Sequence, residues 1–496
     1  MSGKGLYIGA TSHALSAAST AYYLNGQIGC DASGNIAVTG NIEVCAEKIL
    51  EKINNMASGL SKTLLLDESV MGLYTLEGFG NAPEYTGSGT VELKYSFEKA
   101  DSYYILIHGA TAADYENYLK KIVAAGYECY HSTEANGQKF STYTDGYNIL
   151  TMSQIAYYDP RTNADPKYDT PSNGNVSYMT IAIDCVDKTA LPERNTEIED
   201  ITTEQITTVS TVSGYVLRLR DGRFVIFDGG QTAAHAKIVY DILCEQNVLD
   251  GKPVIAAWFL THGHGDHVGG LFNFIAAYSD LVEVEAFVHN LPAYEQYNGK
   301  NIVEIYPQKE SDALYSRSLQ YYADIERYYP DADIIVARAG QRFEYGDIDI
   351  DILFTSENLY KKQMLDTNGS SVVYSITGKS GRMLILGDLV DPEGGVLNAV
   401  YGSSLKCDLV QVAHHGYNNG NPDMYDSMDA EYAIWTNSLE TIVGGKKHIQ
   451  SSNKRNKFNY KSVDANLIPS TSGPAITLTE NMTKADIVAL DVGLTE

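Results

Sequence analysis

Short apolar runs alternate with glycine-punctuated polar breaks along much of this chain, a pattern of strands and helices packed in layers. Val254 to Leu260 is an unbroken apolar run, Met383 to Leu386 is a shorter one, and Leu409 to Val412 is apolar but for Gln411, so each reads as a buried strand. Gly214 to Gly230 reads as a hairpin, two apolar strands joined at the Asp221-Gly222 turn. Phe343 to Phe354 reads as a second hairpin turning at Gly346-Asp347. Apolar positions at helical spacing mark amphipathic helices at Leu271, Phe272, Ile275 and Tyr278, and again from Asp312 to Tyr329.

The amino-terminal half has a different texture. Residues 1 to about 90 are rich in Gly and Ser, with one helix-like stretch from Ile42 to Met56. Residues 91–187 read as a small α+β module. Its expected strands are 91–95 and 103–107, with others around 128–130, 140–143 and 179–183. Thr111 to Ala125 is its expected helix, with Thr111 as N-cap and Gly126 as the stop. The polar stretch 188–208 reads as a linker, leaving 209–496 as a larger carboxy-terminal domain. On this reading a chain beginning near Glu199, if it folds, retains that domain and its chemistry.

Composition narrows the class. With 496 residues and 44% hydrophobic content, the chain is long enough for two or three packed domains. No run of about 18 apolar residues is present, so no spanning helix is expected. The six cysteines are scattered without metal or disulfide spacing, which points to a reduced, cytoplasmic protein. A formal net charge of −27 repels phosphate backbones, so nucleic acid is an unfavourable partner. A local cluster of cations, Lys446, Lys447, Lys454 and Arg455, is the exception and is expected to favour an anionic small molecule. The tyrosine-rich segment from Tyr143 to Tyr168 offers stacking surface or core.

The strongest chemical signal follows the strand at Val254 to Leu260. There His262, His264, Asp266 and His267 fall within six residues of a glycine-rich loop. Neutral imidazole and carboxylate donors suit zinc and similar divalent ions, and a tight turn aims them at one or two centres. Two further strand ends carry the same donor types: Gly387-Asp388 and His414-His415-Gly416. A carboxylate can span two cations, which a single imidazole nitrogen cannot.

These motifs resemble the metallo-β-lactamase superfamily, with its His-x-His-x-Asp-His signature, over roughly residues 205 to 480. The His-His-Gly ending is similar to the branch holding the DNA-uptake competence nuclease domain and the bacterial phosphorylcholine esterases. The resemblance implies an α/β (α+β) fold, the four-layer αββα sandwich, with two divalent metal ions: zinc foremost, manganese or iron otherwise. It implies His262, His264 and Asp388 at the first ion, and Asp266, His267, Asp388 and either His414 or His415 at the second. Asp266, His414 and His415 are the expected catalytic groups. Asp228 is expected to brace the metal loop. Asn368, His289, Lys446 and Lys447 are expected behind the ligands or at the substrate.

The chain departs from the family where another histidine usually precedes the bridging aspartate. His289 comes too early, and Asn368-Gly369-Ser370-Ser371 stands at the expected place. That favours a phosphodiesterase or phosphoesterase over the alternative, hydrolysis of a lactone, thioester or β-lactam. An inactive metal-binding module is the remaining expectation from a different class, and oligomerisation is left open.

Overall fold

A computed structural model describes residues 82–94, 102–163, 171–185, 213–291, 308–345, 348–360, 364, 366–378, 381–417, 420–430 and 432–436. It also describes the short strands at 28–30, 36–38, 202–205, 466–469 and 477–479. The expected helix from Ile42 to Met56, the Gly346-Asp347 turn, Tyr168 and the cations Lys446, Lys447, Lys454 and Arg455 lie outside the described residues. The chain divides into two compact units, Met1–Thr75 and Leu76–Glu496. In the first, β1 (Ile28–Cys30) pairs antiparallel with β2 (Ile36–Val38).

The second unit opens with a six-stranded antiparallel sheet. Its strands are β3 (Thr90–Lys94), β4 (Ser102–His108), β5 (Glu128–Ala135), β6 (Gln138–Thr144), β7 (Asn148–Tyr158) and β8 (Asn175–Cys185), in the order β3-β4-β8-β7-β6-β5. Helix α1 (Ala112–Ala124) begins where the sequence predicts. The Thr111 hydroxyl accepts from the Asp114 amide, and the Asp114 carboxylate accepts back from the Thr111 amide, a closed capping box.

Two further sheets follow. The first contains β9 (Thr202–Gln205), β10 (Gly214–Arg218), β11 (Phe224–Asp228), β12 (Val254–Phe259), β13 (Glu283–Val284), β14 (Ala286–His289) and β15 (Asp333–Val336). The second contains β16 (Arg342–Tyr345), β17 (Ile348–Phe354), β18 (Val373–Gly378), β19 (Gly381–Ile385), β20 (Leu409–Gln411), β21 (Tyr432–Trp435) and β22 (Asn466–Pro469). The last strand, β23 (Thr477–Thr479), returns to the first sheet beside β9. Thr202–Gln205 lies inside the polar stretch expected as linker, yet it is a paired strand.

Each sheet begins with antiparallel strands and continues with parallel ones: β11, β12, β14 and β15 in the first, β19 to β22 in the second. Phe227, Phe259 and Val288 of one sheet meet Ile350, Tyr374 and Ile385 of the other in a continuous apolar layer. Alternate residues face outward. On the first sheet, Ile226, Ile255 and Trp258 pack under α2 (Ala233–Gln246), α3 (Gly265–Tyr278) and α4 (Gln308–Tyr328). On the second, Leu384 and Val410 pack under α5 (Asp391–Tyr401) and α6 (Pro422–Met428). This is the αββα sandwich expected from the sequence.

The amino-terminal sheet is built onto that sandwich. One of its faces packs with α1 through Ile107, Met152, Met179 and Ile181. The other contributes Leu106, Phe140, Ile155, Tyr157 and Tyr178 to the cluster that also holds Leu384, Val396 and Val410. Burying an aliphatic or aromatic side chain of this kind contributes about 1.5–3 kcal/mol. Polar contacts cross the same seam. The Val336 amide donates to Asp184 Oδ1 at 3.2 Å, Gln341 Nε2 donates to Asp184 Oδ2 at 3.1 Å, and Tyr130 Oη accepts from the Glu344 amide at 2.9 Å. Of the tyrosine-rich segment, Tyr143 and Tyr157 are core, whereas Tyr147 and Tyr158 are exposed. Among the described residues no helix is long and apolar enough to cross a membrane.

Candidate metal centre

The parallel strands of both sheets release their chemistry-bearing residues at their carboxyl ends. In open α/β sheets that edge is where a crevice forms. Asp228 ends β11, the loop 261–264 follows β12, Asp388 follows β19, His415 follows β20 and Thr436 follows β21. Glycine permits the close approach this requires. A side-chain carbon at Gly270 would fall 1.7 Å from the Gly229 carbonyl oxygen, so only glycine lets the start of α3 press onto the β11 exit. Gly387 has φ +55°, and a side chain there would strike Thr261 at 2.8 Å.

Two groups of donors result, each with its ligand atoms within 4.8 Å of one another: His262, His264 and Asp388, and beside them Asp266, His267 and His415. His262 Nε2 and His264 Nδ1 are 3.0 Å apart, and His267 Nε2 and His415 Nε2 are 3.3 Å apart. Asp388 stands between the groups. Its Oδ2 is 3.7 Å from His262 Nε2 and 3.4 Å from His415 Nε2, and its Oδ1 is 3.2 Å from His267 Nε2. His415 Nε2 also lies 3.2 Å from Asp266 Oδ2.

Each inward-facing imidazole is held from behind through its other nitrogen. His262 Nδ1 meets Thr261 Oγ1 at 3.2 Å, His264 Nε2 meets Thr367 Oγ1 at 2.8 Å, and His415 Nδ1 meets Thr436 Oγ1 at 2.9 Å. His267 Nδ1 lies 2.7 Å from Asp228 Oδ2. Metal-binding histidines need this second contact, because it sets the ring's orientation and which nitrogen keeps a lone pair for the ion. Asp228 is fully buried at φ +53° and also accepts from the Thr261 amide at 2.8 Å. The threonines at 261, 367 and 436 were given no role by the sequence reading. Each is an ordinary residue at a strand end or in a turn, and only folding sets it behind a histidine.

The donor set fits divalent metal ions. Asp388 Oδ1 is buried and receives no well-aligned hydrogen bond. Pairs of imidazole nitrogens face each other at hydrogen-bond distance, and without a shared proton or a cation their lone pairs would repel. Burial and the His267 charge drive the His262 pKa well below its ordinary value, and burial lowers that of His264 to about 4, so both rings are neutral ligands at physiological pH. Burial also opposes charge on His267 and His415, but the surrounding carboxylates, Asp388 first, outweigh it. They raise His267 well above the ordinary range and His415 to about 9. His267 and His415 hold protons where cations would otherwise sit. Ion identity is not distinguished by these donors.

The structure thus turns His415, rather than His414, toward the second group of donors. Both residues are left-handed, at φ 54° and 52°, an arrangement that costs roughly 1–2 kcal/mol per residue and turns adjacent side chains apart. His414 is half-buried and belongs to neither group. Asn368 lies beside Thr367 in a buried 3-10 turn capped by Asp366. His289 is not brought to either group. Its Nδ1 accepts from the Leu291 amide at 3.1 Å, Nε2 meets Tyr322 Oη at 3.2 Å, and burial with the nearby Arg338 charge lowers its pKa to about 3. Helix α4 also brings Arg317 against the metal loop, a residue to which the sequence pattern assigns no role.

Residues 207–435 match the family model of the metallo-beta-lactamase superfamily. The chain is 28% identical over 97 residues to the competence protein ComA of Neisseria gonorrhoeae, a match covering 19% of this chain and 14% of that protein. It therefore spans about a seventh of that relative's length. Among solved structures, it is similar to the metallo-beta-lactamase fold protein YhfI of Bacillus subtilis at 12% identity and TM-score 0.33, covering 56% of this chain and 99% of that one. A Cronobacter sakazakii metallo-beta-lactamase with a HARLDQ motif aligns at 15% identity and TM-score 0.24, covering 38% of this chain and 62% of that one.

Proposed function

We propose that this chain, which belongs through residues 207–435 to the metallo-beta-lactamase superfamily of metal-dependent hydrolases, is a dinuclear phosphodiesterase or phosphoesterase acting on a small anionic ester. The observation that carries this reading is Asp388, a buried carboxylate whose two oxygens reach both histidine groups. A structural metal site closes its coordination with four protein ligands. Here the first group has three among the described residues, and Asn368-Gly369-Ser370-Ser371 stands in the sequence where the family usually adds a histidine.

Bound there, two divalent ions would supply an activated water and Lewis acidity at the attacked ester. The chain's own residues then do the positioning. Asp388 would be shared by the ions of both groups, while Thr261, Thr367, Thr436 and Asp228 keep the imidazoles from rotating. His414, outside the two groups, faces the substrate in this reading, where its imidazole hydrogen-bonds a phosphoryl oxygen or hands a proton to the departing oxygen.

Metal content and turnover of a nitrophenyl phosphodiester, measured together on the full chain loaded with zinc or manganese, test this. About two ions per chain with metal-dependent turnover supports it. Full occupancy with turnover only of thioesters, lactones or a chromogenic lactam would replace the phosphoester reading. Full occupancy with no turnover of any of them would leave a binding module.

A further inference from the structure

We infer that Arg317 is the anion-binding residue of this site, holding the charged group of the substrate beside the two metal positions. The inference rests on the metal-hydrolase reading and names the substrate's charge as its recognition element. Arg317 lies in the middle of α4, far in sequence from every motif, and is half-buried. Its Nη1 is 3.4 Å from the Gly263 carbonyl oxygen. A side-chain carbon at Gly265 would lie 3.5 Å from Nη2 and 3.7 Å from the central guanidinium carbon. The guanidinium therefore rests on the loop segment between two ligands, His264 and Asp266.

Three observations give that placement a purpose. First, this is the open side of the centre. Within the motif, His262, Gly263 and His267 are buried, whereas residues 264–266 are half-exposed, and the Asp266 side chain is 31% accessible. Solvent and substrate reach the ligands where Arg317 stands. Second, the guanidinium has no carboxylate within ion-pair distance among the described residues. Arg161, Arg223, Arg338 and Arg342 each grip an aspartate or glutamate. In a chain of net charge −27, an arginine laid against the loop between His264 and Asp266 and gripping no carboxylate among the described residues keeps its donors for another acid. Third, its one hydrogen bond, to Gly263, is at the long limit of such contacts and uses one of five N–H donors. A planar fork of donors matches two oxygens of a phosphate monoanion or diester, which a lysine would meet only as a point charge.

Inorganic phosphate is a sufficient probe. Its affinity for the metal-loaded full chain is compared in wild type, Arg317→Gln, Arg317→Ala and Arg317→Lys by calorimetry, with metal content measured on each sample. Arg317→Gln and Arg317→Ala are expected to weaken phosphate binding by roughly ten- to a hundredfold at unchanged metal content, with Arg317→Lys between. For a nitrophenyl phosphodiester the loss should fall mainly on KM. Unchanged phosphate affinity in Arg317→Gln at full metal content overturns the inference. Loss of metal in both Arg317→Gln and Arg317→Ala overturns it too, because the residue would then be a clamp on the loop. Phosphate binding that depends on Arg317, in a protein that hydrolyses no ester, would sink the hydrolase reading and spare the anion site.

Discussion

Asp228 Oδ2 lies 2.7 Å from His267 Nδ1, so a carboxylate at the end of β11 decides which nitrogen His267 turns toward Asp388. The same carboxylate accepts from the Thr261 amide and hydroxyl, tying the base of the metal loop to the neighbouring strand.

Asp228→Ala should therefore reduce affinity for the second ion by about ten- to a hundredfold, the usual cost of losing such a contact. It should also lower stability by about 1–3 kcal/mol, because the buried Thr261 amide loses its acceptor. Asp228→Asn keeps an acceptor for that amide, so it should recover more stability than metal affinity. Metal titration and chemical denaturation on both variants separate the two effects.

His414 and His415 are adjacent yet should behave differently. His415→Ala removes an inward nitrogen and should leave about one ion per chain. His414→Ala should keep both ions while slowing turnover by about a hundredfold, the lower end of a general acid–base contribution. Equal metal loss in both variants would contradict the left-handed geometry that separates the two rings.

Asp388→Asn places a neutral amide where two cations would repel each other. Activity should fall by more than about a hundredfold, exceeding the loss for any residue that only orients a ligand. Elemental analysis should show depletion at both centres rather than one.

The pH dependence has a defined sign. His267 and His415 carry folded-state pKa values above the ordinary 6.5, His415 at about 9. In metal-stripped protein their stabilising contribution is present below about pH 6.5 and is lost as pH rises through about 9. Ions compete with those same protons, so metal affinity should rise over that interval. Melting curves of chelated and loaded protein from about pH 6 to about pH 9 should diverge steadily. Parallel curves would mean the imidazoles are not the ligands.

Removing everything before Glu199 should not leave a working catalytic domain, contrary to the expectation from the polar stretch 188–208. Leu106, Phe140, Ile155 and Tyr178 share one apolar cluster with Val396, Leu397 and Tyr401 of α5, and Phe140 stacks on Tyr401, so their loss would bare part of that cluster. Such a fragment should aggregate or bind hydrophobic dyes, and soluble monomer with native metal content would show the seam to be dispensable.

The sequence by itself determined much of the layered sandwich and the identity of the main donors. A seven-residue apolar run ending in a glycine-rich loop, as at Val254 to Leu260, reads as a buried strand, and three imidazoles with a carboxylate in six residues have few other uses. Local signals of that kind survive without coordinates because they depend on neighbours in the chain. Which histidine of the 414–415 pair turns inward was not local, since it depends on two left-handed residues stabilised by the surrounding fold. Nor was the role of Thr261, Thr367 and Thr436, whose hydroxyls acquire meaning only when strand ends from both sheets converge. Arg317 shows the same division most sharply: within α4 it is one polar position of an amphipathic helix, and only the packing of that helix on the first sheet lays its charge against the loop between His264 and Asp266.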